Sequence, residues 1–204
     1  MTLRIAVFAS GSGSNFQALA EAVRDGRIPD ARIELLVCDK PGAYVLERAQ
    51  NFGIETYVFR PKDYLSREAY EEEILAELRR RGIDLIVLAG YMRILTPVLV
   101  EPYYGRMINI HPALLPSFPG LNGVRQALDY GVKITGVTVH FVDAGTDTGP
   151  IIAQRAVEVL PGDTEESLGA RIHQAEHQLL PEVVRWIAEG RVRLDGRRVT
   201  VEER

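Results

Sequence analysis

The chain has 204 residues, a formal net charge of −4 and a single cysteine, Cys38. A chain of this length buries roughly 70% of the surface that its unfolded form exposes, and one cysteine excludes an internal disulfide. The negative charge argues against a general nucleic-acid or acidic-membrane binder. Because the first apolar run begins at Leu3 and none approaches membrane-spanning length, we expect a soluble cytoplasmic protein.

The first half of the chain alternates apolar runs with amphipathic segments. Four runs predict strands: LRIAVFAS, RIELLVC, IETYVF and DLIVLAG. Three segments between these runs predict helices. The first has helical periodicity from Phe16 onward, the second ends at Gly53, and the third follows the N-cap candidate Ser66. Strands and helices that alternate in this way predict an α/β fold with a doubly wound, mostly parallel sheet and helices on both faces.

The second half of the chain has a different pattern. ITGVTVHFV and IIAQRAVEV are longer alternating runs joined by a polar, Gly-rich loop, which predicts antiparallel strands. A long amphipathic helix is predicted from about Thr164 to Glu189, and Asp195-Gly196 predicts a small hairpin after it. No repeat or linker separates the halves, so we predict one domain.

The loop between the first strand and the first helix has the sequence ASGSGSNFQAL. Its glycines allow backbone N–H groups to converge at the helix N-terminus, which favours a bound phosphate. The dinucleotide fingerprint G-x-G-x-x-G is incomplete, because Phe16 occupies the third glycine position. Asp39 at the end of the second strand still leaves a dinucleotide site open, and a plain turn capped by Ser14 is the structural alternative. We favour a single phosphate of a mononucleotide.

The segment MINIHPALLPSFPG begins as a buried strand and continues as a proline-rich turn. Asn109 and His111 are two residues apart, so their side chains point to the same face of the strand. Pro112 cannot continue a sheet ladder, and Leu115-Pro116 is a candidate cis bond. The strand therefore ends with an amide and an imidazole side by side, which indicates a polar site at the sheet edge.

The segment VTVHFVDAGTDTGP places His140 on a strand and Asp143 and Asp147 in the loop after it. A single strand histidine is usually structural, and loop aspartates usually cap turns. The same loop can also bring a carboxylate to a neighbouring imidazole, so both interpretations stay open.

The segment LAGYMRIL ends the fourth strand and surrounds Arg93 with Tyr91, Met92 and Leu95. Apolar residues at the carboxyl edge of a parallel sheet, where crevices form, can receive a flat ring system. Core packing is the simpler alternative.

The segment HQAEH contains two histidines, His173 and His177, at the i, i+4 spacing of zinc sites. No third ligand is evident at a suitable downstream spacing, so we expect no catalytic metal there. Glu176 alone can face a cleft and accept hydrogen bonds from sugar hydroxyls.

These segments together resemble the folate-dependent formyltransferases. The resemblance covers nearly the whole chain in the family's order of blocks: GSGSNFQAL, LAGYMRIL, INIHPALLPSFPG, VHFVDAGTDTGP and the AEH of the last helix. It implies a Rossmann-like formyltransferase fold, with a mononucleotide-binding half at residues 1–100 and a catalytic and folate half at residues 101–204. Asn122 and Val124 depart from the family, which commonly has further histidines near this turn, so substrate affinity is expected to differ.

The resemblance also implies a reaction and a site. The formyl group of 10-formyltetrahydrofolate would pass to the amine of glycinamide ribonucleotide in purine biosynthesis, in a cytoplasmic monomer or homodimer without a metal. The implied catalytic residues are Asn109, His111 and Asp147. The implied phosphate and ribose contacts are Gly13, Ser14, Asn15 and Glu176. The implied folate contacts are Arg67, Met92, Arg93, Ile94, Leu95 and Asn109.

The chemistry of formyl transfer agrees with these residue types. The reaction passes through a tetrahedral carbon that bears an oxyanion, to which the Asn109 amide and a protonated His111 can each donate a hydrogen bond. The Asp147 carboxylate would stabilise the charged imidazole. Together the imidazole and the carboxylate could relay a proton, through water, from the attacking amine to the departing folate nitrogen.

Four other functions are alternatives. A formyltetrahydrofolate hydrolase would need no phosphate loop, and a methionyl-tRNA formyltransferase would need a basic surface, which a net charge of −4 does not favour. A nucleotide-binding module would not explain Asn109, His111 and Asp147 together. A zinc hydrolase would depend on the HQAEH segment alone.

Overall fold

The computed structural model describes residues 1–204. The strands are β1 (Leu3–Ala9), β2 (Ala31–Cys38), β3 (Thr56–Val58), β4 (Leu85–Leu88), β5 (Met107–His111), β6 (Ile134–Phe141), β7 (Ile151–Glu158), β8 (Val192–Asp195) and β9 (Arg198–Val201). The helices are α1 (Ser14–Arg24), α2 (Tyr44–Asn51), α3 (Arg67–Arg80), α4 (Pro97–Val100), α5 (Gly123–Tyr130) and α6 (Glu165–Ala188), with a short 3-10 helix at Pro61–Asp63. No helix combines the length and the apolar character that are needed to cross a bilayer.

Seven strands form one sheet in the order β3-β2-β1-β4-β5-β6-β7, and β8 pairs with β9 separately. β1 is parallel to both β2 and β4, and β2 is parallel to β3. β6 and β7 are antiparallel. These pairings confirm the predicted α/β fold with a mostly parallel sheet and antiparallel strands in the C-terminal half.

The chain divides into two compact units, residues 1–108 and 109–204. The boundary lies within β5, so the end of that strand, from Asn109 to His111, belongs to the second unit. The prediction of a single domain with a division near residue 100 stays a prediction.

The core of the first unit is built on strands that are apolar on both faces. β4 is buried along its whole length, and β1 is buried from Ile5 to Ala9, as expected for parallel strands covered by helices. α1 buries Phe16 completely, and the ring of Phe16 meets the ring of Phe52 edge-on at 6.3 Å between centroids. The aromatic residue at the third glycine position of the loop therefore packs in the core.

The predicted C-terminal hairpin is confirmed as β8 and β9, with Gly196 at a φ of 57° in the turn. Arg197, also in the turn, donates a hydrogen bond from Nη2 to the carbonyl oxygen of Thr148 at 2.8 Å. Thr148 lies in the loop between β6 and β7. The C-terminal segment thus packs on the loop that carries Asp147.

Candidate active site

The carboxylate of Asp147 is the centre of a cluster in the second unit. Its Oδ1 accepts a hydrogen bond from Asn109 Nδ2 at 3.3 Å, and its Oδ2 accepts one from the Gly120 N–H at 2.7 Å. His111 Nδ1 lies 3.5 Å from the same Oδ2. Asp147 has a φ of 55°, an uncommon value for a residue other than glycine that is often found at functional sites. The loop after β6 therefore brings one carboxylate to both polar residues at the end of β5.

The imidazole of His111 is held from two sides. Nε2 lies 2.8 Å from the carbonyl oxygen of Phe118, and because a carbonyl only accepts, this nitrogen carries a hydrogen. Nδ1 faces Asp147, and only 5% of the side chain is exposed. For Nε2 to donate to a substrate oxygen, its hydrogen bond with Phe118 must be exchanged for one with the substrate.

His140, for which a structural role is the usual interpretation from sequence, is a further member of the cluster. Its Nδ1 lies 2.8 Å from the carbonyl oxygen of Phe141, so Nδ1 carries a hydrogen. Its Nε2 lies 3.3 Å from Asn109 Nδ2 and 3.7 Å from Asp147 Oδ1. A shift of register in the β6–β7 ladder falls at His140, and such bulges often re-aim side chains beside active sites. The available signal was its place on the strand that leads into the Asp147 loop.

The pKa of Asp147 lies below its ordinary value of 3.8. Burial acts to raise this pKa, but the contact with His140, the Gly120 N–H donor and the charges of the two imidazoles together outweigh burial. The cluster thus favours an ionised carboxylate next to His111.

The lowered pKa of Asp147 predicts how stability depends on pH. A carboxylate of this kind stabilises the folded state above the ordinary value of 3.8, and the contribution is lost as the pH falls through the folded-state pKa. We expect Asp147→Asn to be less stable than the wild type at pH 7, with a gap that narrows below about pH 4. Urea unfolding across this pH range measures the gap, with the exposed Asp129→Asn as control. A gap that stays constant from pH 7 to pH 3 contradicts the prediction.

The turn after His111 is fixed by side chains of β6 and β7. Thr138 Oγ1 donates to the Ala113 carbonyl at 2.7 Å and accepts from the Leu115 N–H at 3.1 Å. Gln154 Nε2 donates to the Leu115 carbonyl at 2.9 Å. The Leu115-Pro116 bond is cis. These bonds hold the segment that follows His111 on the antiparallel part of the sheet.

The predicted phosphate loop lies in the first unit, between β1 and α1. α1 begins at Ser14, and its N-cap is Gly13 with a φ of 77°, so the alternative of a turn capped by Ser14 is wrong. A Cβ at Gly13 would lie 2.4 Å from Val45 Cγ2, so only glycine fits at this position. Asn15 occupies the second position of the helix. The three predicted residues therefore form the N-terminal end of α1.

The predicted folate segment, residues 92–95, follows β4 at the carboxyl edge of the sheet. Met92 and Ile94 expose 65% and 66% of their surface, which core packing does not explain. Arg67 Nη1 donates to the Ile94 carbonyl at 3.4 Å, so the predicted contact residue on α3 meets this segment. Arg93 Nε donates to Asp39 Oδ2 at 2.8 Å. Asp39 was the residue that kept a dinucleotide site as an alternative. In the structure it pairs with an arginine of the predicted folate segment.

A cavity of about 370 Å³ lies beside this segment in the first unit. Three of its lining side chains are cationic, namely Lys62, Arg67 and Arg93. The remaining lining residues are Pro61, Tyr64, Ser66 and Tyr70. The arrangement suits a ligand that carries carboxylate groups next to an aromatic or aliphatic part.

Glu71 holds Thr96, the residue directly after the predicted folate segment, in place. The buried carboxylate of this α3 residue accepts hydrogen bonds from the Thr96 N–H at 3.0 Å and from Thr96 Oγ1 at 3.1 Å. Thr96 caps α4, which begins directly after it. Burial raises the pKa of Glu71, and the hydrogen bonds from Thr96 partly offset that effect.

We expect Glu71→Ala to lower the free energy of unfolding by about 1–3 kcal/mol, because the buried Thr96 donors lose their acceptor. Urea unfolding followed by circular dichroism measures the change. Glu72→Ala, at an exposed position of the same helix, is the matched control and is expected to change stability by less than about 0.5 kcal/mol. Equal effects of the two substitutions would rule out the anchoring role of Glu71.

The two histidines and Glu176 of the HQAEH segment lie on α6 in the second unit. His173 Nδ1 lies 3.5 Å from Glu176 Oε2, and this contact raises the pKa of His173 although burial acts against it. The rings of His173 and His177 are stacked at 6.4 Å between centroids. No group of three or more histidine, cysteine or carboxylate side chains is arranged to hold a metal ion. Glu176 is buried.

Residues 3–184 match the family described as Formyl transferase. The chain belongs to this family. It is 50% identical to the phosphoribosylglycinamide formyltransferase of Bacillus subtilis (strain 168), over 89% of this chain and 93% of that protein. It is 48% identical to the trifunctional purine biosynthetic protein adenosine-3 of Drosophila melanogaster, over 92% of this chain but only 14% of that protein. A crystal structure of glycinamide ribonucleotide transformylase 1 from Symbiobacterium toebii superimposes with a TM-score of 0.96 at 47% identity, covering 99% of this chain and 95% of that chain.

Proposed function

We propose that the chain transfers the formyl group of 10-formyltetrahydrofolate to the amine of glycinamide ribonucleotide. The reaction is a formyl transfer in purine biosynthesis. The observation that carries the proposal is the partly buried cluster in which Asp147 contacts both Asn109 and His111, in a member of the formyl transferase family.

Asn109 stabilises the oxyanion in the proposed reaction. The amine of the ribonucleotide attacks the formyl carbon, and the carbonyl oxygen becomes an oxyanion on a tetrahedral carbon. The Asn109 amide donates a hydrogen bond to that oxygen. Asp147 and His140 fix the orientation of this amide beforehand, and because both Nδ2 hydrogens are engaged by them, one of these hydrogen bonds is exchanged for the bond to the oxyanion.

His111 and Asp147 move the proton in the proposed reaction. The C–N bond between the amine and the formyl carbon forms, and the amine loses one proton. The C–N bond to the folate N10 then breaks, and N10 gains one proton. Asp147, an ionised carboxylate beside the imidazole, accepts the first proton through water, and His111 donates the second. The proton on Asp147 then passes to His111 Nδ1, 3.5 Å away, so the carboxylate and the protonated imidazole are both restored after one turnover.

The two substrates use different groups of residues in this proposal. The phosphate of the ribonucleotide binds the amides at Gly13, Ser14 and Asn15, where the helix N-terminus adds positive potential. Glu176 accepts hydrogen bonds from the ribose hydroxyls. The folate binds along residues 92–95, and its glutamate carboxylates face Arg67 and the other cations of the cavity.

The proposed enzyme works in the cytoplasm as a monomer or homodimer and needs no metal. A folate hydrolase is the rival function with the most similar chemistry, since it would use the same oxyanion donors. The ordered glycine loop at the start of α1 favours transfer, because a hydrolase has no substrate phosphate to bind there.

The rate of tetrahydrofolate formation tests the proposed function. Purified protein is mixed with 10-formyltetrahydrofolate, with and without glycinamide ribonucleotide. We expect tetrahydrofolate to form only when the ribonucleotide is present. One formylated ribonucleotide is expected for each tetrahydrofolate released. An equal rate of tetrahydrofolate formation without the ribonucleotide would support the hydrolase. Formylation of methionyl-tRNA, with none of the ribonucleotide, would support a methionyl-tRNA formyltransferase.

A further inference from the structure

Two consecutive carbonyl groups of the phosphate loop accept hydrogen bonds from residues of α2. The Val45 N–H donates to the Gly11 carbonyl oxygen at 3.0 Å. Arg48 Nε donates to the next carbonyl oxygen, that of Ser12, at 2.8 Å. Val45 also packs directly against Gly13, where no Cβ would fit. Residues of α2 therefore contact three successive residues of the loop, Gly11, Ser12 and Gly13.

These two hydrogen bonds determine where the loop's amides point. In a planar trans peptide the C=O and the following N–H point in opposite directions. Because the carbonyls of Gly11 and Ser12 face α2, the N–H groups of Ser12 and Gly13 point away from α2. Two successive amides on one side of the backbone form an anion-binding concavity.

The position of Arg48 is itself fixed by a second contact. Its guanidinium carbon lies 4.8 Å from the centre of the Tyr44 ring, one helical turn earlier on α2. The side chain is half-buried, so its charge is partly shielded from solvent. A stacked guanidinium has few other orientations available, which keeps Nε directed at the Ser12 carbonyl.

We propose that Arg48 is a positioning residue for the phosphate of the ribonucleotide, because it turns the Ser12–Gly13 peptide so that its N–H faces the substrate. The proposal rests on the proposed function of this loop. Arg48 acts through the backbone and by its positive charge, so it affects how tightly the phosphate binds. It does not affect the cluster around Asp147.

The test compares steady-state kinetics of Arg48→Gln with those of the wild type. The KM for glycinamide ribonucleotide is expected to rise about 10-fold, the loss expected for one hydrogen bond from a charged donor. The kcat and the KM for 10-formyltetrahydrofolate are expected to stay within about twofold, since only uniform binding is lost. With glycinamide riboside, which has no phosphate, the two proteins are expected to have equal KM values.

Arg24→Gln is the matched control. Arg24 also lies over an aromatic ring, that of Phe52 at 5.3 Å, but its hydrogen bond goes to the exposed Asp25. We expect this substitution to leave all kinetic constants unchanged. Arg48→Lys keeps the charge and a donor, and is expected to restore part of the lost affinity. It also provides the comparison if Arg48→Gln folds poorly.

Two results would overturn the role of Arg48 while leaving the proposed function intact. One is an unchanged KM for the ribonucleotide in both Arg48 variants. The other is an equal rise in KM for the ribonucleotide and the riboside, since that indicates a general structural effect. A wild-type protein that does not use the ribonucleotide at all would instead refute the proposed function.

Discussion

Asn109→Ala is expected to lower kcat for formyl transfer by about 10²–10³-fold, the usual cost of removing one oxyanion donor. The KM values are expected to change little, because the lost hydrogen bond forms only as the oxyanion develops. Steady-state kinetics with both substrates measure the effect.

Asn109→Asp is the companion variant. It keeps the shape of the side chain but replaces the amide donor by a carboxylate oxygen. In the wild type the amide nitrogen lies 3.3 Å from Asp147 Oδ1, so the variant brings two carboxylates together. We expect it to be at least as inactive as Asn109→Ala. Both variants are expected to unfold cooperatively in urea, which separates loss of chemistry from loss of fold. A kcat within threefold of the wild type in either variant would remove Asn109 from the reaction centre.

Gly149→Ala is expected to lower the free energy of unfolding by at least about 3 kcal/mol, near the upper end for single substitutions. A Cβ at this position would lie 1.7 Å from the carbonyl oxygen of Phe141 and 2.7 Å from its carbonyl carbon. These are backbone atoms of β6 that cannot rotate away, so the loop must shift. Because Asp147 is two residues earlier, we also expect kcat to fall.

Gly169→Ala is the control for the Gly149 substitution. Gly169 lies inside α6, and no atom outside its own helix lies within 4 Å of a Cβ at this position. An alanine there reduces the entropy of the unfolded chain and is expected to stabilise by about 0.4–1 kcal/mol. Equal unfolding midpoints for the two variants would show that the close approach to Phe141 does not constrain the loop.

Much of the fold could be predicted because its strands and long helices have clear periodicity. β4, for example, is apolar at every position and buried at every position. α4 was not predicted, because its four residues give about one turn and no periodic signal, and α5, which follows the proline-rich turn, was not predicted either. β3 spans only Thr56–Val58, fewer residues than its apolar run suggested.

The candidate site was predictable where its residues lie on one strand, and less so where it depends on pairs distant in sequence. The two-residue spacing predicted that Asn109 and His111 share one face of the strand, and both side chains lie against the same carboxylate. The pairing of Arg93 with Asp39 joins residues 54 positions apart, which no local pattern contains. The signal for His140, its place on the strand that leads into the Asp147 loop, was weak, because a single histidine on a strand is usually structural. The roles assigned to these residues remain proposals.

The fate of the formyl carbon tests the proposed function most directly. The protein is given 10-formyltetrahydrofolate labelled with carbon-13 in the formyl group, together with glycinamide ribonucleotide, and the products are separated by mass spectrometry. We expect the label in the amide of the formylated ribonucleotide, one carbon for each tetrahydrofolate released. Label recovered as free formate, at the same rate with or without the ribonucleotide, would contradict formyl transfer by this chain.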